Sequence, residues 1–325
     1  QVPVTAARAP RPRRRARSCA VGVAVLALAI HWATRSRRQT AQIFLPWATS
    51  PVARRMAHAP FDTKKRQVFV VGNEAADVDS LVSAYALAPI FDGPDSEGVP
   101  LAQIPRKEFR LRGDGLALFK VAGSEVLADG SPARMRFWDE IDWDAVQLLE
   151  DRSVVLTDHN KMTDKVAGIF QGRVKLILDH HAKTNAHPDA EGEIVEGLGS
   201  ACTLVAERLL SRSPALSEEV GRLLAGVILL DTRNFDLEEK KGTPRDLETF
   251  ERLRAHVPGD LGQNGWYAAL TEARRDVSHL SVEELLMLDM KAARVEGFDG
   301  EVAFAAMMTT VGDTVRRAGG AGELR

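Results

Sequence analysis

Four apolar runs in this chain end abruptly in carboxylates or imidazoles. Val68-Phe69-Val70-Val71-Gly72 leads into Asn73-Glu74-Ala75-Ala76-Asp77-Val78-Asp79-Ser80, and Val154-Val155-Leu156-Thr157 into Asp158-His159-Asn160. Leu176-Ile177-Leu178 runs into Asp179-His180-His181, and Gly226-Val227-Ile228-Leu229-Leu230 into Asp231-Thr232. Continuous Leu/Ile/Val runs are the pattern of strands buried on both faces, and the C-terminal ends of such strands are where open α/β sheets present ligands and reactive groups. The pattern therefore predicts four segments delivering polar groups to one edge of one sheet.

Between these runs the periodicity switches. Strands are expected at 67–72, 153–157 and 174–178, with a small strand at 193–196. Helices are expected near 80–90, 161–170 and 200–211. Residues 92–115 read as a loop rich in Gly, Pro and charge, and 116–150 as short strands mixed with an acidic segment. The stretch 217–230 carries Val220, Leu223, Leu224, Val227 and Ile228 at helical spacing, in competition with a strand ending at Leu230. Alternation of this kind predicts a doubly wound, mainly parallel α/β domain. His256 to Gly265 reads as a linker by composition.

Composition separates two materials. The chain has 325 residues, 45% apolar and 27% charged, the range of ordinary globular domains, with room for two domains and a leader. Its net charge of −2 hides an asymmetry: residues 1–61 hold 11 Arg and no acid, so removing that +11 leaves −13 on residues 62–325. The Ala20–Ile30 apolar run is too short for a bilayer span, which needs about 20 residues. It fits a signal-peptide core; the Arg-rich, acid-free surroundings fit an organellar transit peptide; a translated upstream segment is the third reading. Residues 1–61 are therefore placed outside the fold. Cys202 is alone in the body, which excludes an internal disulfide there and favours a reducing compartment.

The candidate chemistry follows from ligand type. Asp and His without cysteine form a hard to borderline donor set, suited to Mn²⁺, Mg²⁺ or Co²⁺ rather than to structural zinc. Asp77, Asp79, Asp158 and Asp231 carry four negative charges, which two divalent cations would cancel. Two such ions suit phosphoester or phosphoanhydride hydrolysis. Individually each position has an ordinary explanation. Asp79 or Ser80 could cap the helix that follows, and Asp231-Thr232 could simply end an element. No Walker-type phosphate loop is present, and the acidic body lacks the basic, aromatic-interleaved strip that nucleic-acid binding favours.

The four segments, in this order, resemble the motifs of the DHH phosphoesterase superfamily. Within it the chain looks most like the yeast-type cytosolic exopolyphosphatases and the animal prune proteins. Ile104 to Arg112 and Gly199 to Thr203 also resemble segments of that group. Family II pyrophosphatases are similar but carry His where this chain has Asn73. The resemblance runs from about residue 66 to about 295. It implies a DHH catalytic domain at 62–255, a linker at 256–265 and a smaller C-terminal α/β DHHA2-like domain at 266–325, short or truncated.

Carried over by residue, the resemblance makes Asp158 and Asp231 ligands shared by two ions. Asp77, with Asn73 beside it, would serve one ion, and Asp79 with His180 the other. Asp158 and His181 would be the catalytic pair, His181 contacting substrate phosphate; Asp179 would orient its neighbouring histidine, and His159 and Asn160 would border the pocket. Arg106, Lys107, Arg110, Arg112 and Lys291 are the candidates for gripping a polyanion, although charged surface positions would look the same. The implied activity is release of terminal phosphate from inorganic polyphosphate, with a cytoplasmic location, or an organellar one if the leader is a targeting segment. Pyrophosphate hydrolysis, a phosphodiesterase acting on cyclic nucleotides or short oligonucleotides, and a prune-like interaction protein are the alternatives.

Overall fold

The structure, a computed structural model, describes residues 26–27, 64–212, 216–236, 238–257, 263–278, 280–288, 290–294, 301–305 and 309–319. Its centre is a six-stranded, all-parallel sheet. In chain order the strands are β1 (Arg66–Val71), β2 (Ser96–Ala102), β3 (Arg136–Phe137), β4 (Arg152–Thr157), β5 (Val174–Asp179) and β6 (Glu191–Ile194). They lie in the order β3-β2-β1-β4-β5-β6. The chain winds outward from β1 in one direction and then from β4 in the other, so the switch point falls between the C-terminal ends of β1 and β4, where doubly wound folds open a ligand crevice.

Alternating side chains of each strand enter two separate cores. Val68, Val70, Val155, Leu176 and Leu178 pack under one layer of helices, while Phe69, Val71, Val154, Leu156 and Ile177 face the opposite one. Burial of both faces is why these strands read as unbroken apolar runs. The larger layer comprises α1 (Val78–Leu87), α2 (Gly113–Ala122), α4 (Ala201–Arg212), α5 (Glu218–Asp231), α6 (Pro244–Arg254) and α7 (Gln263–Arg275). The opposite face is covered by α3 (Asp164–Phe170), through Val166, Ile169 and Phe170.

Several sequence expectations need correction. The stretch read as a loop at 92–115 contains β2, a 3₁₀ segment at Arg106–Leu111 and the start of α2. Its Gly98 and Pro100 disguised the strand. Gly98 is required because a Cβ there would lie 1.9 Å from the Ala88 carbonyl oxygen. Residues 116–150 hold most of α2, the two-residue β3 and a helical turn at Trp143–Gln147. The ambiguous 217–230 stretch is helical, begun by Ser217 accepting from the Val220 N–H, so Asp231 arrives on a helix end rather than a strand. A second, antiparallel sheet pairs Met290–Arg294 with Glu301–Ala305, and Leu26–Ala27 adds to the latter. The rest of residues 1–63 lies outside the described residues.

Candidate metal centre

The loop leaving β1 is tied down by its own polar side chains. Asp77 is the N-cap of α1, accepting from Ser80 N–H at 3.0 Å, so the capping role expected of Asp79 or Ser80 belongs to Asp77. Asp79 is buried and serves another helix. Its carboxylate accepts the Ala201 N–H at 2.7 Å and the Cys202 N–H at 2.9 Å, at the N-terminus of α4. Asn73 donates from Nδ2 to Asp158 Oδ2 at 2.8 Å, while its Oδ1 accepts from Ala76 N–H at 3.0 Å.

Asp158 follows β4 at the switch point in a left-handed conformation, φ 61°, with its N–H bonded to Leu178 O at 2.9 Å. Its two oxygens differ sharply. Oδ2 receives both Asn73 Nδ2 and Ser80 Oγ, each at 2.8 Å, whereas buried Oδ1 receives no hydrogen bond. The nearest imidazole belongs to His180, whose Nε2 lies 3.2 Å from Oδ1 and 3.8 Å from Asp79 Oδ2. His180 Nδ1 meets Leu198 O at 2.7 Å, which places the proton of the neutral ring there and leaves the Nε2 lone pair facing a carboxylate. Two acceptors so close require a positive charge between or upon them. Although burial opposes its ionisation, His180 is pushed up to about 10 by the adjacent Asp158 carboxylate and the charge of Asp79. Burial, then the charges of Asp79 and Asp77, pushes Asp158 up as well.

Asp179 is fully buried and spends its carboxylate on the next two residues. It accepts His180 N–H at 2.8 Å, His181 N–H at 3.3 Å and His181 Nδ1 at 2.9 Å, with Asn160 Nδ2 as a further donor. That contact fixes the His181 ring and raises its affinity for a proton. Asp158, His180 and His181 offer ligand atoms all within 4.8 Å of one another, the cluster of that kind found among the described residues. His159 turns its Nδ1 to Thr157 O at 2.9 Å, and burial lowers its pKa.

Asp231 completes the acidic side. It ends α5, the negative pole of a helix, where a carboxylate is electrostatically disfavoured, and Arg274 Nη2 lies 4.0 Å from its Oδ1. Burial and the charge of Asp79 push its pKa up, and its buried Oδ2 has no hydrogen-bond partner. The buried Asp231 Oδ2 without a hydrogen-bond partner and the lone pair of His180 facing Asp158 Oδ1 fit divalent cations; an N···O separation of 3.2 Å matches adjacent ligands on one ion, which lie about 3 Å apart when each bond is about 2.1 Å.

A cavity of about 760 Å³ opens over this group, lined by Asn73, Asp77, Asp158, His181 and Asp231. Its cations are Arg112, Lys161 and Arg274. Arg112 is buried and donates to the carbonyls of Ala75 and Ala76, bracing the β1 loop. The other expected basic residues point elsewhere: Arg106 is engaged by Glu140, Ser131 and the Met135 carbonyl, Arg110 by Glu284, and Lys107 is exposed outside the cavity lining. The Lys291 side chain lies outside the described residues. Sequence reasoning missed Ser80 as a partner of Asp158, and missed Asp114 and Arg274. The apolar face of α7 offered a helical signal, but nothing local marked which of its charges turns inward.

A model described as the DHH family, N-terminal domain, matches residues 67–230. The chain belongs to the DHH family. Among its curated relatives, exopolyphosphatase PRUNE1 of Bos taurus is 35% identical over 262 residues, 79% of this chain and 55% of that protein. The manganese-dependent inorganic pyrophosphatase of Methanothrix thermoacetophila is 24% identical over 248 residues, 74% of this chain and 70% of that protein. This DHH chain thus spans about half the length of the PRUNE1 relatives it matches. The crystal structure of a provisionally assigned family II inorganic pyrophosphatase from Methanococcus jannaschii shares the fold, with a TM-score of 0.51 at 21% identity over 69% of this chain and 66% of that one.

Proposed function

We propose that this DHH chain is a metal-dependent phosphoanhydride hydrolase that releases terminal phosphate from inorganic polyphosphate. The observation that carries the reading is the buried Asp158 Oδ1, which receives no hydrogen bond and faces His180 Nε2 at 3.2 Å, in a cavity shared with Asp77 and Asp231. Asp158 and Asp231 would be common to two divalent cations, Asp77 would serve one, and Asp79 with His180 the other. Asn73 would act on the ions through Asp158, the carboxylate its amide holds. When bound, two such ions neutralise phosphoryl oxygens and ease ionisation of the attacking water.

The chain's own groups supply the rest. Asp179 fixes the ring of His181, so that its far edge faces the cavity, where it holds the terminal phosphate. The left-handed turn at Asp158 aims the carboxylate back across the end of β4 toward β5, and Ser80 and Asn73 keep it there. Polyphosphate is preferred over a cyclic nucleotide because cations line an open cavity whose lining includes no Phe, Tyr or Trp ring for stacking a base. The likeness to a protein named as an exopolyphosphatase supports the same choice. Pyrophosphate is the second substrate, favoured by the likeness to a manganese-dependent pyrophosphatase.

The test is phosphate release by the full chain with Mn²⁺, Co²⁺ or Mg²⁺ on tripolyphosphate, long polyphosphate, pyrophosphate and cyclic AMP. Metal-dependent turnover is expected on the anhydrides, fastest on tripolyphosphate or longer chains. Turnover confined to cyclic AMP would make the chain a phosphodiesterase, and no metal uptake at all would support a prune-like interaction protein.

A further inference from the structure

We infer that Arg274, delivered by α7 from beyond the matched DHH segment, is a substrate-binding residue that takes a phosphoryl oxygen beside Asp231, and that Asp114 is the residue positioning it. The inference rests on the phosphoanhydride reading above and adds to it a site residue and its support. Arg274 lines the cavity with 36% of its side chain exposed. Its Nη2 lies 4.0 Å from Asp231 Oδ1, and its Nε donates to Asp114 Oδ2. Arg112, by contrast, is buried and committed to backbone carbonyls.

The placement is built into the backbone. Asp114 is buried in the first turn of α2, and α2 can press against α7 because residue 113 is glycine: a Cβ there would lie 2.4 Å from the Ala273 carbonyl oxygen. That close approach sets Asp114 directly beside the next residue of α7, Arg274. One edge of the guanidinium is thereby fixed by a carboxylate, and the remainder faces the cavity. A fork of donors held in this way suits a phosphate oxygen, which Arg binds with directional, charge-assisted hydrogen bonds.

The electrostatics give the idea a sign. A guanidinium beside Asp231 opposes entry of a divalent cation at that carboxylate and favours arrival of an anion. An ordinary structural role for Arg274 predicts the reverse, because loss of a support for Asp231 would weaken the metal site. Removing the charge should therefore leave Mn²⁺ binding unchanged or tighter while weakening phosphate binding.

The experiment uses the full chain with Arg274→Gln, Arg274→Lys and Asp114→Asn. Calorimetry would measure Mn²⁺ alone, then inorganic phosphate added to the Mn²⁺-loaded protein; kinetics would use tripolyphosphate. For Arg274→Gln, phosphate affinity should fall, and KM rise, by about tenfold to a hundredfold, with kcat changing less, the cost of one charge-assisted hydrogen bond. Mn²⁺ affinity should be equal to or up to about tenfold tighter than wild type. Arg274→Lys should recover part of the loss, and Asp114→Asn should show a smaller rise in KM with Mn²⁺ binding retained. Unchanged phosphate affinity, or weakened Mn²⁺ binding in Arg274→Gln and Asp114→Asn together, overturns the assignment. A wild-type chain that takes up no Mn²⁺ overturns the underlying reading and this inference with it; wild-type uptake and turnover with an indifferent Arg274 overturn this inference alone.

Discussion

Ser80 Oγ donates to Asp158 Oδ2 at 2.8 Å and at the same time accepts the Asn73 N–H at 2.8 Å, joining the first turn of α1, the β1 loop and the end of β4 through one buried hydroxyl. Because the hydroxyl occupies Oδ2, it turns Oδ1 toward His180. Ser80→Ala should weaken Mn²⁺ binding by about tenfold to a hundredfold, the usual effect of losing a hydrogen bond behind a ligand. Calorimetric Mn²⁺ titration checks this, and unaltered affinity would show that Asn73 alone suffices to orient Asp158.

Asp158→Asn separates charge from shape. The amide oxygen can still accept from Ser80 and Asn73, so the chelated protein should fold, but with a lowered Tm, because His180 loses the buried carboxylate that holds its proton. With the shared carboxylate lost, kcat should fall at least about a thousandfold. Thermal melts with chelator and phosphate-release kinetics measure the two effects separately, and near-normal turnover would remove the two-ion reading.

The pH dependence has a defined direction. His180 is raised from 6.5 to about 10, so it stabilises the chelated fold fully below about pH 6.5, and that contribution is lost as pH rises through about 10. Metal must displace the same proton. Apparent Mn²⁺ affinity should therefore increase by up to about tenfold per pH unit across that window, with about one proton released per ion bound there. Titrations in buffers of different ionisation enthalpy count the protons, and His180→Gln should flatten the slope.

Asn160 holds together the two loops flanking the cavity. Its Nδ2 donates to Asp179 and to Ala182 O at 3.0 Å, and its Oδ1 accepts Thr184 N–H at 2.9 Å and Thr184 Oγ at 2.6 Å. Asn160→Ala should cost about 1–3 kcal/mol of stability by leaving buried Asp179 one donor short. It should also loosen His181, raising KM for tripolyphosphate by about tenfold while Mn²⁺ affinity changes less. A matched fall in Mn²⁺ affinity would place its effect on His180 instead.

The sheet was legible where burial is two-sided. β1, β4 and β5 appear as unbroken apolar runs because neither face meets water, and the helix at Glu218–Asp231 appears through its 3.6-residue spacing. β2 was not legible, since a close-contact glycine and a proline interrupt the only signal a short strand has. Of the basic residues singled out in the sequence, Arg112 reaches the cavity, while Arg106 and Arg110 meet Glu140 and Glu284. A charged side chain carries no local mark of the partner it will find.

What the sequence by itself determined is the donor set and its edge. Asp158, His180 and His181 follow apolar strands directly, and a residue that follows a parallel strand emerges at the C-terminal edge whatever the strand order. Tertiary structure alone decided that β1 lies beside β4, which brings Ser80 and Asn73 to Asp158 across a topological switch, and that α7 packs on α2, which brings Arg274 to Asp114 and Asp231. Periodicity encodes which face of an element is buried. It does not encode which other element covers that face, and the contacts that orient Asp158 and Arg274 cross such boundaries.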